Sequence, residues 1–157
     1  MWKQLFVTTL AFSAISCTAG VYPLHWVLVG EFTQEERELT HRAPKCWNEI
    51  AYAQQDVFDQ GESISQIHVV DVLPGPYPDA HAVLETRGIH HRIYILRGLP
   101  PETFFMSMQH EMGHALGLAT HEVGGHIEPP AIMSGGSSSL VVTKNDLAEC
   151  RRVGACP

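Results

Sequence analysis

His110-Glu111-Met112-Gly113-His114-Ala115-Leu116-Gly117, followed by His121, combines the residue types and the spacing that metal chemistry needs. Histidines at i and i+4 of a helix project from one face, because about 3.6 residues make a turn, so both imidazoles can reach a single ion. Glu111 sits between them, placed to take a proton from a metal-bound water without itself being a ligand. Gly117 lacks a β-carbon and can enter the left-handed conformation that ends a helix and turns the chain back. A third histidine can then come from the turn. Three neutral imidazoles would leave the charge of a zinc ion intact, lowering the pKa of a bound water to about 7.

These side chains need a rigid helix beneath them. Pro100-Pro101-Glu102 predicts its start, since proline fits a first turn and an acidic side chain complements the helix dipole. Phe105, Met108, Met112, Ala115 and Leu116 make the expected buried stripe, with His110 and His114 off it and facing a cleft. Upstream, Leu24 to Val29 reads as a strand ending at Gly30, and Thr33 with Glu36 as a capping box that opens a helix. Beyond Pro44 the apolar positions Cys46, Trp47, Ile50, Ala53, Val57 and Phe58 keep helical spacing up to Gly61. Either a kinked helix runs through, or a second helix starts with Pro44 in its first turn. Further strands are expected at Ile67 to Val72, Ala82 to Thr86 and Ile93 to Leu96, with an exposed loop at Pro74 to Pro78. A short linker at 135–139 precedes Thr143-Lys144-Asn145-Asp146, which resembles a second capping box and opens a C-terminal helix to about Arg152.

The chain of 157 residues has room for one domain with one core. Its 10 Lys+Arg against 17 Asp+Glu give a formal charge of -7, which repels phosphate backbones, so nucleic acid is not an expected partner. Lys3 followed by the apolar run Leu5 to Ile15 reads as an export signal, too short for a permanent membrane span. Cleavage follows the small residues near Ala19, or Ala14-Ile15-Ser16-Cys17 is a lipobox with Cys17 acylated; both readings place the chain outside the cytoplasm. That compartment permits disulfides. Cys46, Cys150 and Cys156 remain, an odd number. Either Cys46 bridges one of the C-terminal pair and ties the first helix to the last, or the thiols are small buried side chains with no bond.

With these residues in place, the chain resembles the metzincin zinc peptidases, and most closely bacterial matrixin-like members. His110-Glu111-x-x-His114-x-x-Gly117 matches their signature, and Ala131-Ile132-Met133-Ser134 looks like their Met-turn. The resemblance implies an α+β fold (an α/β-type sandwich), with a twisted mixed sheet, an active-site helix, a Met-turn floor at Met133 and a C-terminal helix. Behind the signal read at 1–19, or a lipoprotein signal ending before Cys17, it implies a zinc metallopeptidase catalytic domain at 20–157. It also implies Zn2+ as cofactor, His110 and His114 as ligands, Glu111 as catalytic base and a protein or peptide substrate.

The third ligand departs from the pattern. The usual position, three residues after the glycine, holds Thr120 here. His121, one residue later, is the first choice, because a turn that has left the helix absorbs one extra residue. His126, which precedes the Met-turn sequence, is the alternative and would make 120–125 an insertion. No tyrosine follows Met133, unlike in some relatives. The reaction expected is endopeptidase hydrolysis by a secreted or lipid-anchored monomer. Little chain separates the signal from the first strand, so no inhibitory propeptide is expected. A non-catalytic surface module with a closed four-ligand zinc site is the second reading. A thermolysin-like site, with Glu149 as third ligand, is a third.

Overall fold

Trp26, Val27 and Leu28 are buried in succession, the mark of a strand covered by parallel neighbours on both edges. The computed structural model describes residues 23–118, 132–133 and 141–157. Its five strands are β1 (Leu24–Val29), β2 (Gln55–Phe58), β3 (Ser65–Val70), β4 (Ala82–Arg87) and β5 (His90–Leu96), in the order β2-β1-β3-β5-β4. All pairings are parallel except β4 with β5. The helices are α1 (Gln34–Arg42), α2 (Lys45–Asn48), α3 (Pro101–Ala115) and α4 (Lys144–Arg152). This is the mixed-sheet α+β architecture that the resemblance implied. None of these helices is long and apolar enough to cross a membrane.

Strand β3 alternates strictly, with Ser65, Ile67 and Val69 buried while Gln66, His68 and Val70 are half-buried. It therefore has one core face, and β5 continues that face with Ile93 and Ile95. The expected strand at 67–72 lies two residues earlier, and Val72 is exposed. β4 turns into β5 through Gly88 and Ile89, flanked by the pair Arg87 and His90. Only Gly88 of the two has positive φ, which fits a tight turn with glycine at its first central position.

The helical spacing from Cys46 to Gly61 is where the sequence reading fails. α2 ends at Asn48, with Pro44 as its N-cap, and Val57 and Phe58 belong to β2. The strand forms because Gln55 has strand partners to satisfy. The Asn48 amide donates to the Gln55 carbonyl at 2.7 Å and accepts from its N–H at 2.8 Å. Gln55 pairs with Leu24 of β1, and its side chain, 1 % exposed, accepts from Trp26 Nε1 and donates to the Met112 carbonyl. Tertiary pairing overrides the apolar period.

α3 packs on β4, β5 and α1. Its buried stripe holds Phe104, Met108 and Met112, so Phe104 replaces the expected Phe105. Phe105 is instead half-buried under the Arg42 guanidinium, 5.3 Å from the ring centroid. Burying each of those three large side chains contributes about 1.5–3 kcal/mol. The helix ends as foreseen: Gly117 has φ +90°, its N–H donates to the His114 carbonyl at 2.8 Å, and that of Leu118 to Gly113 at 3.2 Å. This double bond pattern fixes the direction in which the chain leaves.

The cysteines pair otherwise than expected. Cys150 bridges Cys156 across the turn at Gly154, and Cys46 keeps its thiol. Cys46 lies against Gln109, and burial pushes its pKa up to about 11. The expected signal, Cys17, His121, His126 and the 135–139 linker lie outside the described residues.

Candidate metal centre

The last two turns of α3 bring His110, Glu111 and His114 together, with one ligand atom of each within 4.8 Å of the others. The two imidazole rings stand edge to face, 87° apart, with centroids 4.7 Å from each other. Each ring is oriented by a backbone carbonyl. His110 Nδ1 lies 2.8 Å from the Ile132 oxygen, and His114 Nδ1 lies 2.6 Å from the Leu118 oxygen. A carbonyl oxygen only accepts, so both Nδ1 atoms must donate, which puts the lone pair of each neutral ring on Nε2. Nε2 donors held by Nδ1–H bonds to carbonyls are the supporting arrangement of histidine metal ligands. Imidazole donors beside a carboxylate suit a zinc ion.

Glu111 is 7 % exposed. Burial pushes its carboxyl up to about 7, against a smaller opposite pull from a hydrogen bond with the Leu84 backbone on the edge strand β4. A carboxylic acid poised near neutrality can both accept and return a proton.

Met133 lies beneath this cluster, 2 % exposed. Gly113, between the two histidines, makes room for it. A Cβ at Gly113 would collide with Met133 Sδ and come within 2.8 Å of Trp47 Cζ2. A glycine inside a helix costs about 1 kcal/mol relative to alanine, so this one marks a close approach. Trp47 is fully buried and donates its indole N–H to the Gln109 carbonyl at 2.7 Å, fixing α2 to the same face.

The segment around Met133 is held from α4. Asp146, 1 % exposed, accepts from the Ile132 and Met133 amides, both at 3.1 Å. It also accepts from the N–H and hydroxyl of Thr143, both at 2.9 Å. The sequence identified Asp146 only as a capping-box residue; its tie to residues 13 and 14 positions earlier had no local signal. Of the other sequence candidates, Glu149 lies outside the metal-capable group and pairs with the Arg152 guanidinium at 2.6 Å. Among the described residues, His110, Glu111 and His114 form the one group that could hold a metal ion.

No family model matches the chain, and no curated protein matches it. Solved structures do. One is an archaemetzincin from Methanopyrus kandleri, 14 % identical, with a TM-score of 0.53 over 86 % of this chain and 97 % of that one. At that identity the likeness concerns the fold, and it extends over nearly the whole of both chains.

Proposed function

We propose that this chain is an exported zinc metalloendopeptidase, with His110 and His114 as ligands, His121 as third ligand and Glu111 as general base. The observation that carries the reading is the pair of imidazoles, each with Nδ1–H committed to a carbonyl, beside a buried carboxyl pushed to about 7. His110 and His114 would hold a zinc ion, which would supply an acidified water and polarise the scissile carbonyl. Glu111 would take a proton from the attacking water on its carboxylate as the water oxygen adds to the carbonyl carbon, and return it to the leaving amine as the C–N bond breaks.

Within the shared fold, the motif at 110–117 and the sequence at 131–134 support the finer assignment to matrixin-like metzincins. The leader read at 1–19, cleaved near Ala19 or as a lipoprotein signal ending before an acylated Cys17, supports export. The charge of -7 fits a protein or peptide substrate rather than nucleic acid.

Metal analysis of the purified chain should give one zinc per molecule. Cleavage of an unfolded protein substrate should disappear with chelator and return with zinc. His121→Ala should lose zinc while His126→Ala keeps it; the reverse result transfers the third ligand to His126. Zinc retained by a protein that cuts no unfolded substrate would instead establish the non-catalytic binding module.

A further inference from the structure

The end of α3 tightens, and this releases one main-chain oxygen. In a continuing α-helix the Leu116 N–H would bond the Met112 carbonyl, but here it turns to the Gly113 carbonyl at 3.1 Å. Met112 is fully buried, so its carbonyl needs another donor. The Gln55 amide of β2 supplies it, at 3.3 Å. Gln55 is 1 % exposed, and each of its polar groups is committed: N–H and carbonyl to the Asn48 amide, Oε1 to Trp26 Nε1 at 3.0 Å, Nε2 to Met112. An indole N–H only donates and a carbonyl only accepts, so the Gln55 amide can sit just one way round.

The tightened turn also builds the support of His114. With Leu116 bonded to Gly113, the chain folds back: the Gly117 N–H reaches the His114 carbonyl at 2.8 Å, and the Leu118 N–H reaches Gly113 at 3.2 Å. The Leu118 oxygen then lies 2.6 Å from His114 Nδ1. An α-helical residue rises about 1.5 Å and a 3₁₀ residue about 2.0 Å, so each residue that reverts displaces the chain by about 0.5 Å. Two such steps are more than a 2.6 Å bond can absorb.

We propose that Gln55 is a positioning residue for the second imidazole of the metal group: by taking up the Met112 carbonyl, it keeps the turn tight and the Leu118 oxygen on His114 Nδ1. Trp26 acts one step further back, by orienting the Gln55 amide. His110 is served by a separate path, since its Nδ1 meets the Ile132 carbonyl, and Ile132 is held by Asp146. The consequence for metal binding rests on the zinc peptidase reading, whereas the consequence for the His114 ring does not.

The test uses the full chain, zinc-free, isotope-labelled in its histidine side chains, above neutral pH where both imidazoles are uncharged. Nitrogen–proton spectra of the parent should show His110 and His114 both in the Nδ1–H form. Gln55→Met, which keeps the side-chain length and removes both of its hydrogen bonds, should leave His110 in that form and turn His114 to a mixture of the two tautomers. Zinc affinity of this variant, read by competition with a chromogenic chelator, should fall about tenfold. Trp26→Phe, which keeps the Gln55 donor and removes its guide, should move His114 in the same direction by less.

A variant in which both imidazoles lose the Nδ1–H form alike would report general loosening and overturn the proposal. So would one in which His114 keeps that form, or in which the ring changes and zinc affinity does not. If Gln55→Met fails to fold, Trp26→Phe decides: His114 altered with His110 intact supports the positioning, and any other pattern overturns it. A parent that takes up no zinc, with His114 responding to Gln55→Met as described, would remove the metal reading and leave the positioning of the ring standing.

Discussion

Two buried carboxylates sit on either side of the Met133 turn, and the protein treats them in opposite ways. Asp146 is met by four donors: the Ile132 and Met133 amides and both polar groups of Thr143. Glu111 is nearly as buried, yet among the described residues its hydrogen-bonding donor is the Leu84 backbone, and its carboxyl is pushed up to about 7. A saturated carboxylate fixes geometry because its charge is already satisfied, whereas an undersupplied one keeps its proton affinity for chemistry. The number of donors around a buried carboxyl therefore decides whether it suits a structural or a proton-transfer role.

Four measurements on three substitutions break or sharpen that contrast. The largest effect is expected from Glu111→Gln, which keeps the shape and removes the base. Cleavage of a peptide substrate by the zinc-loaded variant should fall by about 10²–10⁴ in kcat/KM with zinc content unchanged. A variant that cuts as fast as the parent would strip Glu111 of its role.

Asp146→Ala comes next, because it strands buried donors and releases the Met133 segment. Denaturant unfolding should show a loss of about 3–5 kcal/mol, the range for breaking a buried charged network. A loss under about 1 kcal/mol would mean that water substitutes for the carboxylate and that the contrast with Glu111 is only apparent.

The third measurement returns to Glu111→Gln, now for stability without metal. The folded pKa of Glu111, about 7, lies above its ordinary 4.5, so the folded state holds the proton more tightly. Its contribution to stability is fully present below about 4.5 and is lost as the pH rises through 7. The variant carries no such loss, so relative to the parent it should gain about 3 kcal/mol between pH 4.5 and pH 8. Equal pH profiles for the two proteins would show that Glu111 is not held in the state described.

Gly113→Ala is expected to have the smallest effect. The new methyl meets Met133 and Trp47, and the strain of about 1–3 kcal/mol is partly offset by the better helix propensity of alanine. A net loss near 1 kcal/mol in thermal or chemical unfolding would fit, and a net gain would show that the Met133 side chain moves aside freely.

Much of α3 was legible, because an i, i+4 pair, a capping glycine and an apolar stripe are all written within fifteen consecutive residues. The two capping boxes were legible for the same reason, and α1 and α4 begin at Thr33 and Thr143 as their sequences dictate. β2 was not legible, since its four residues take strand form only when Asn48 and β1 satisfy the backbone of Gln55. The cysteine pairing escaped for a related reason: three thiols allow several bridges, and the choice depends on a turn at Gly154. At the candidate metal centre, His110, Glu111 and His114 were visible in the motif. The groups that aim them, the Ile132 and Leu118 carbonyls and the Asp146 carboxylate, were invisible because a main-chain oxygen has no letter and Asp146 reads as a helix cap.

The hydrogen bonds from the Ile132 amide to Asp146, and from His110 to the Ile132 carbonyl, join α4 to the first proposed ligand through a single residue. Ion affinity and tail docking then share one coupling free energy, which by thermodynamic reciprocity acts with equal strength in both directions. Loading the ion should slow deuterium uptake along α4, which begins 30 residues after His114 in sequence. By the same factor, a tail that frays should bind the ion more weakly, so the last helix reports on occupancy without touching it.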